Sequence, residues 1–310
     1  MSSSTNPTHG ATLFENGLVV DGSGDPSWPG DVLIAGDRIV HVGAGSRERL
    51  SACLPAGFEV EDVQVVDCRG QVIAPGFIDA HTHDDAIVLN TPEYLPKLSQ
   101  GITTVVTGNC GISLAPYRTP QALPPLTLLG ADSFHYPTMA AYREAVQAAQ
   151  PALNVAALVG HTTLRFATMS DLSRAANADE RARMAALLDA SLADGAHGLS
   201  SGLFYEEAYP APADEVTELA RVVARHGGVY ATHLRSEMQG IIEAMHEAGD
   251  SAFAAGVPLV ISHHKCAGPA HLWCEITSGT PAANALSPAS CIASMTVSYT
   301  HLTLPTKRIV

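Results

Sequence analysis

Short runs of alternating apolar and polar residues open the chain. ATLFENGLVVDG, DVLIAGDRIVHVG and EVEDVQVVDCRG, all within residues 11–70, carry the period of two expected of half-buried strands, and Gly and Asp turns separate them. No helix-length pattern interrupts them, so residues 1–70 are expected to form a small β-rich, sandwich-like segment. At Gln71 the pattern changes. QVIAPGFIDA (71–80) is almost continuously apolar, as a parallel strand covered on both faces must be. Similar runs follow at GITTVVTG (101–108), NVAALVG (154–160), AHGLSSGL (196–203), GGVYATH (227–233) and VPLVISH (257–263). Helical patterns lie between them, over 137–150, 177–195, 212–228 and 235–256. The 212–228 stretch has acidic residues in its first turn and glycine after its last, as the helix dipole and the C-cap favour.

Strand alternating with helix implies βαβ units and a parallel sheet. An open doubly wound sheet and a (β/α)8 TIM barrel are the two ways to arrange it. No GxGxxG follows the first strand, which disfavours a dinucleotide-binding sheet. The polar residues that end the strands favour the barrel. The expected fold is therefore α/β: an incomplete (β/α)8 TIM barrel of about six βα units over 71–270, preceded by the β-sandwich piece of 1–70.

Those strand ends carry the candidate chemistry. The first strand ends in His81-Thr82-His83-Asp84, and the second is followed by Gly108-Asn109-Cys110-Gly111. The third ends in Gly160-His161, the fifth in His233 and the sixth in His263-His264-Lys265. In a barrel these ends meet on one rim, where the active sites of that fold sit. Neutral imidazole and thiolate are good zinc ligands. Two residues apart on a strand point the same way, so His81 and His83 can grip one ion from one segment. Cys110 can add a thiolate from the neighbouring strand. His233 and His263 are one βα repeat apart and should stand side by side. His161 lies on the same rim with no second ligand beside it. His135, His197, His226, His246 and His271 have no positional case as ligands, and Cys53, Cys68 and Cys266 are expected to be structural.

Composition narrows the classes further. Apolar residues make up 46% of the 310 residues and charged ones 15%, enough for a packed core and unlike a disordered chain. Lys and Arg number 17 against 31 Asp and Glu, a net charge of -14, which argues against nucleic acid or an anionic membrane surface as partner. No apolar stretch reaches membrane-spanning length, and the N-terminus, MSSSTNPTHG, lacks the apolar core of a secretory signal. The expected location is the cytoplasm. Its reducing chemistry makes disulfides unlikely partners for the six cysteines and leaves ligation or nucleophilic roles for any special one.

APGFIDAHTHDD (74–85) resembles the amidohydrolase superfamily, whose members carry a His-x-His at the end of barrel strand one after a Pro-Gly-x-x-Asp turn. GITTVVTGNCGIS (101–113), LVGHTTLR (158–165), GLSSGLFYEEAYPAPADEVTELA (198–220), ATHLRSE (231–237) and ISHHK (261–265) are similar to the N-acyl-D-amino-acid deacylases, or D-aminoacylases. Cysteine in the GNCG position is the sharper signal, because many superfamily members bridge two metals with a carboxylated lysine instead. The resemblance implies Zn2+ held by Cys110, His233 and His263, a second, weaker metal position lined by His81 and His83, and a substrate carboxylate met by Tyr205 and Lys265. It implies zinc-dependent hydrolysis of the amide bond of a small-molecule N-acyl-D-amino acid, with an aspartate at the end of barrel strand eight moving the proton. No Asp follows Asp250, and after about Ala270 the strand–helix alternation stops. Residues 271–310 are accordingly expected to be an aberrant, disordered tail. The competing expectations are a hydantoinase-like cyclic-amide hydrolase and a non-catalytic zinc-binding fragment.

Overall fold

The structure is a computed structural model that describes residues 10–263 and the backbone of 292–294. The chain divides into two compact units, 1–76 and 77–310. In the first, β1 (Ala11–Val19) pairs antiparallel with β2 (Trp28–Ala35), which pairs antiparallel with β3 (Arg38–Gly43). On its other side β1 takes two short parallel partners, β4 (Gln64–Asp67) and β5 (Val72–Ile73). Leu13 and Leu33 are fully buried and pack with Leu50 of the short helix α1 (Leu50–Cys53). The β-rich segment expected here is thus one mixed five-stranded sheet, with no second sheet among the described residues of this unit. It runs on to Gly76 rather than stopping at residue 70, because Val72 and Ile73 pair with β1. Pro75 has no N–H to give to a ladder, so the apolar run 71–80 becomes two strands instead of one.

The second unit carries a seven-stranded, all-parallel sheet. Its members in chain order begin with β6 (Phe77–Asp79) and β7 (Ile102–Thr107). A small hairpin of β8 (Tyr117–Arg118) and β9 (His135–Tyr136) interrupts the series. It resumes with β10 (Asn154–Gly160), β11 (Gly198–Gly202), β12 (Val229–His233) and β13 (Leu259–Ile261). Each of these six sheet strands falls inside a predicted run. The seventh, β14 (Ile292–Ser294), adds in parallel to β13 in a stretch where the pattern showed no strand. Three residues are too few to display a period. The rest of the expected tail, 271–310, lies outside the described residues.

Helices cover the sheet. After the short α2 (Ile87–Asn90) and α3 (Leu95–Leu98) come α4 (Met139–Ala149), α5 (His161–Thr168), α6 (Ala178–Ala193), α7 (Ala213–Arg225) and α8 (Ile241–Ala255). Their ends are written locally. The Thr138 side chain accepts from the Ala141 N–H at the start of α4, and Asn177 with Glu180 closes a capping box on α6. Gly256 ends α8 at φ +69°, a left-handed cap that a side chain would disfavour. Helix α5 was not expected. It starts directly on the last strand residue with no side-chain cap, and its β-branched Thr162 and Thr163 are poor helix formers. Met184 and Leu188 of α6, Val216, Leu219 and Val223 of α7 and Ala248 of α8 share one core with Val159, Leu199, Tyr230, Leu259 and Ile261 of the strands. No helix among the described residues is long and apolar enough to cross a membrane.

A buried ionic cluster ties α5 to α7. Arg165 has no solvent exposure and donates to the Glu215 carboxylate at 2.6 Å and to the carbonyls of Leu172, Arg174 and Glu207. His161 Nε2 lies 2.9 Å from the same Glu215 oxygen, and the Ala176 N–H donates to the other. Burial by itself would raise the Glu215 carboxyl, but His161 and Arg165 outweigh it and hold it down at about 2. A carboxyl lowered on folding contributes stability above its unfolded value of 4.5, and that contribution is lost as pH falls towards 2. Glu215→Gln is therefore expected to lower the urea midpoint clearly at pH 7, with the gap to the unsubstituted chain closing between pH 4.5 and 2. A gap that stays constant across that range would contradict the assignment.

Candidate metal centre

Every described candidate ligand lies just beyond, or at the end of, a barrel strand. His81 and His83 follow β6, Cys110 follows β7, His233 is the last residue of β12 and His263 follows β13. The loop after β6 is held by Lys97 of α3, which reaches Asp79 at 2.6 Å and Asp84 at 2.5 Å, while the Tyr94 hydroxyl donates to Asp84. Cys110 sits at φ +54° between Gly108 at +75° and Gly111 at +76°. These three left-handed residues turn the chain sharply after β7, and the two glycines have no room for a side chain. A Cβ on Gly108 would lie 2.1 Å from the Leu158 carbonyl oxygen, and one on Gly111 would lie 2.7 Å from the Gly202 nitrogen. Close packing of three backbones, rather than turn shape alone, makes these positions glycine.

The side chains converge. Cys110 Sγ lies 3.0 Å from His263 Nε2 and 3.4 Å from His81 Nε2. The rings of His81 and His263 are 4.4 Å apart between centroids, and those of His233 and His263 are 4.7 Å apart. Two overlapping sets result, His81–His83–Cys110 and Cys110–His233–His263, each with its donor atoms within 4.8 Å of one another. Cys110 belongs to both. All of these residues are buried except His83, which is half-buried.

Electrostatics disfavours the charged form of two of the imidazoles. Burial, then the neighbouring His263 and His83, push the His81 imidazole down to about 3. Burial also lowers His83. A thiol set among imidazoles is a soft, tetrahedral-capable donor set, and it fits zinc by the chemistry of its atoms. Glu237 is buried with an oxygen 3.3 Å from His233 Nε2. Asp85, whose carboxyl burial raises to about 7, accepts the Gly108 N–H at 3.2 Å.

The other expected residues divide. Tyr205 is brought to the site, with its ring 5.4 Å from that of His233. Burial raises its phenol, and the Cys110 sulfur and Glu237 add to the rise, so the hydroxyl stays protonated as a donor. Lys265 lies outside the described residues, as do His264 and Cys266. His161, on the same rim, turns to Glu215 and joins neither donor set. Sequence reasoning missed Glu237 and Asp85. Glu237 follows His233 by four positions in the ATHLRSE segment, but only the loop's curl brings it back, so spacing alone offered no signal.

Comparison with known proteins follows the same lines. Residues 64–285 match the model of the amidohydrolase family. The chain is 46% identical over 264 residues to an N-acyl-D-aspartate deacylase of Alcaligenes xylosoxydans xylosoxydans, covering 84% of this chain and 51% of that protein. It superposes on a crystal structure of D-aminoacylase with a TM-score of 0.83 at 42% identity, covering 93% of this chain and 58% of the other. An N-acyl-D-glutamate deacylase from Bordetella bronchiseptica, complexed with zinc and a phosphonate inhibitor, superposes with a TM-score of 0.79 at 35% identity, covering 91% and 57%. The chain spans about half the length of the curated relatives it matches.

The Cys110 turn yields its own test. Gly108→Ala combines a left-handed backbone with a clash against the Leu158 carbonyl. It is expected to destabilise the unit by about 1–2 kcal/mol or more. A thermal midpoint equal to that of the unsubstituted chain would show that the turn is not as tightly packed as described.

Proposed function

Because the chain belongs to the amidohydrolase family, we propose that the cluster of His81, His83, Cys110, His233 and His263 is a zinc centre. It serves hydrolysis of the amide bond of N-acyl-D-amino acids, releasing a carboxylate and a D-amino acid. The observation that carries the proposal is the single buried thiol shared by two histidine pairs at the strand ends. The names of the relatives, deacylases of N-acyl-D-aspartate and N-acyl-D-glutamate and a D-aminoacylase, supply the substrate class. Cys110, His233 and His263 form the tighter position, and His81 with His83 completes the second around the same thiol. Zinc, when bound, supplies Lewis acidity towards an amide carbonyl and towards water.

The remaining roles belong to the chain's own groups. Burial keeps the His81 and His83 imidazoles unprotonated at neutral pH, so proton competition at those two donors is weak. Glu237, beside His233, fixes the orientation of that imidazole. Tyr205 keeps its proton and donates a hydrogen bond to the substrate carboxylate. Lys265, two residues beyond His263, adds a cation for the same carboxylate. Free thiols at Cys53, Cys68 and Cys110 suit the reducing cytoplasm as the compartment of action. The net charge of -14 leaves a small molecule, rather than nucleic acid or an anionic membrane, as the partner.

The test joins metal content to stereochemistry. Purified full-length chain is expected to retain zinc by elemental analysis, to lose it to a chelator, and to lose tight binding in Cys110→Ala. Any hydrolysis by the zinc-loaded protein is expected to favour N-acetyl-D-methionine over its L enantiomer, at a low rate because the implied proton-moving aspartate has no counterpart after Asp250. Stoichiometric zinc without turnover of either would favour a non-catalytic zinc site, and absence of zinc would end both readings.

A further inference from the structure

We propose that Ser200 is a positioning residue for the Cys110 thiol, its buried hydroxyl locking the 108–111 turn in the shape that aims the sulfur into the metal centre. The proposal rests on the zinc reading of that centre. Among the sheet strands, β11 ends in neither imidazole nor thiol, yet all five of its residues are buried. What it offers the site instead is a hydroxyl. Ser200 Oγ accepts the Gly111 N–H at 2.9 Å and donates to the Gly108 carbonyl. One side chain thus spans the Cys110 turn from its first residue to its last.

The turn needs such a clasp. Cys110 is a non-glycine residue held at φ +54°, a conformation that L side chains disfavour. The other bonds to the turn each hold one point of it: Asp85 accepts from the Gly108 N–H, the Asn109 side chain donates to the Val106 and Thr82 carbonyls, the Ile112 N–H donates to the Asn109 carbonyl, and the Thr163 N–H donates to the Gly111 carbonyl. Gly202, two residues beyond Ser200, leaves the room, since a Cβ there would lie 2.1 Å from the Cys110 carbonyl oxygen. The strand is built to let the turn lie against it and then to grip it with a hydroxyl. Removal of that hydroxyl leaves a buried N–H and a buried carbonyl without this partner, and the backbone can then relax out of the left-handed region, taking the sulfur with it.

A merely structural hydroxyl is available next door for comparison. Ser201 is equally buried, and its Oγ bonds the Tyr230 and Thr232 hydroxyls, each at 2.8 Å, away from the turn. The experiment compares Ser200→Ala with Ser201→Ala in the full chain. Zinc affinity is measured by competition with a chromophoric chelator, and the thiolate-to-metal charge-transfer band is recorded after cobalt substitution. Ser200→Ala is expected to weaken zinc binding by about 10- to 100-fold, the usual effect of losing a group that orients a ligand, and to diminish the band. Ser201→Ala is expected to lower the thermal midpoint while leaving affinity and band unchanged. Equal affinity and an unchanged band in Ser200→Ala would overturn the proposal. An unsubstituted chain with no thiolate–cobalt band would remove the zinc reading itself, and the proposal with it. Should Ser200→Ala not fold, amide hydrogen exchange on the unsubstituted apo-protein decides: protection of the Gly111 N–H comparable to that of strand amides supports the clasp, and rapid exchange refutes it.

Discussion

The sheet of the second unit must curl, and everything else at the site depends on that curl. Three strands stand between β13 and β7 in the hydrogen-bonded order. In a flat sheet, four strand spacings would keep their ends roughly 19 Å apart. Yet the sulfur that follows β7 lies 3.0 Å from an imidazole that follows β13, and His81 beyond β6 touches the same ring. Only an arc can bring these ends together. The right-handed twist of parallel strands and the packing of α4 to α8 on the outer face supply it. The histidines therefore converge as a consequence of backbone topology, with little demand on the individual side chains.

Convergence creates an electrostatic problem that the fold resolves in two ways. Around the thiol the groups are imidazoles, and burial disfavours the charged form of His81 and His83. Behind α5 the opposite solution holds. Arg165 and Glu215 keep their charges, and each finds several partners: carbonyls for the guanidinium, an N–H and His161 for the carboxylate. The two solutions occupy neighbouring parts of one rim, which explains why His161 begins its helix at the right height and yet turns away. Its partner is Glu215, and that pairing leaves it outside both donor sets.

Cysteine at residue 110 gives the centre its character. A thiol shared between two pairs of imidazoles can serve either pair or both, and the left-handed turn places it where the two sets overlap. Such a position calls for support from below, and β11 provides it through a serine and a glycine rather than through a ligand. The proposed deacylase chemistry thus draws on strands that contribute no donor atom as much as on those that do.

Much of this was legible in the residues. The parallel strands were visible because strands buried on both faces read as continuous apolar runs, and NVAALVG matches β10 residue for residue. The candidate ligands stood out because a barrel places function at strand ends, where a His-x-His and a GNCG fall in this sequence. Other features left no trace along the chain. The division of 71–80 between two sheets depends on which strand Val72 finds as neighbour. The three-residue β14 has no period to read. Glu237, Asp85 and Ser200 look like ordinary loop, loop and strand residues until the arc closes. By itself, then, the sequence determined which residues could bind a metal and which strand each would end, because both follow from side-chain chemistry and local periodicity. The tertiary structure alone decided which of them meet, that one sulfur is shared, and that a serine 90 positions further along clasps its turn. Those are distances between strands remote in sequence, and no local pattern encodes them.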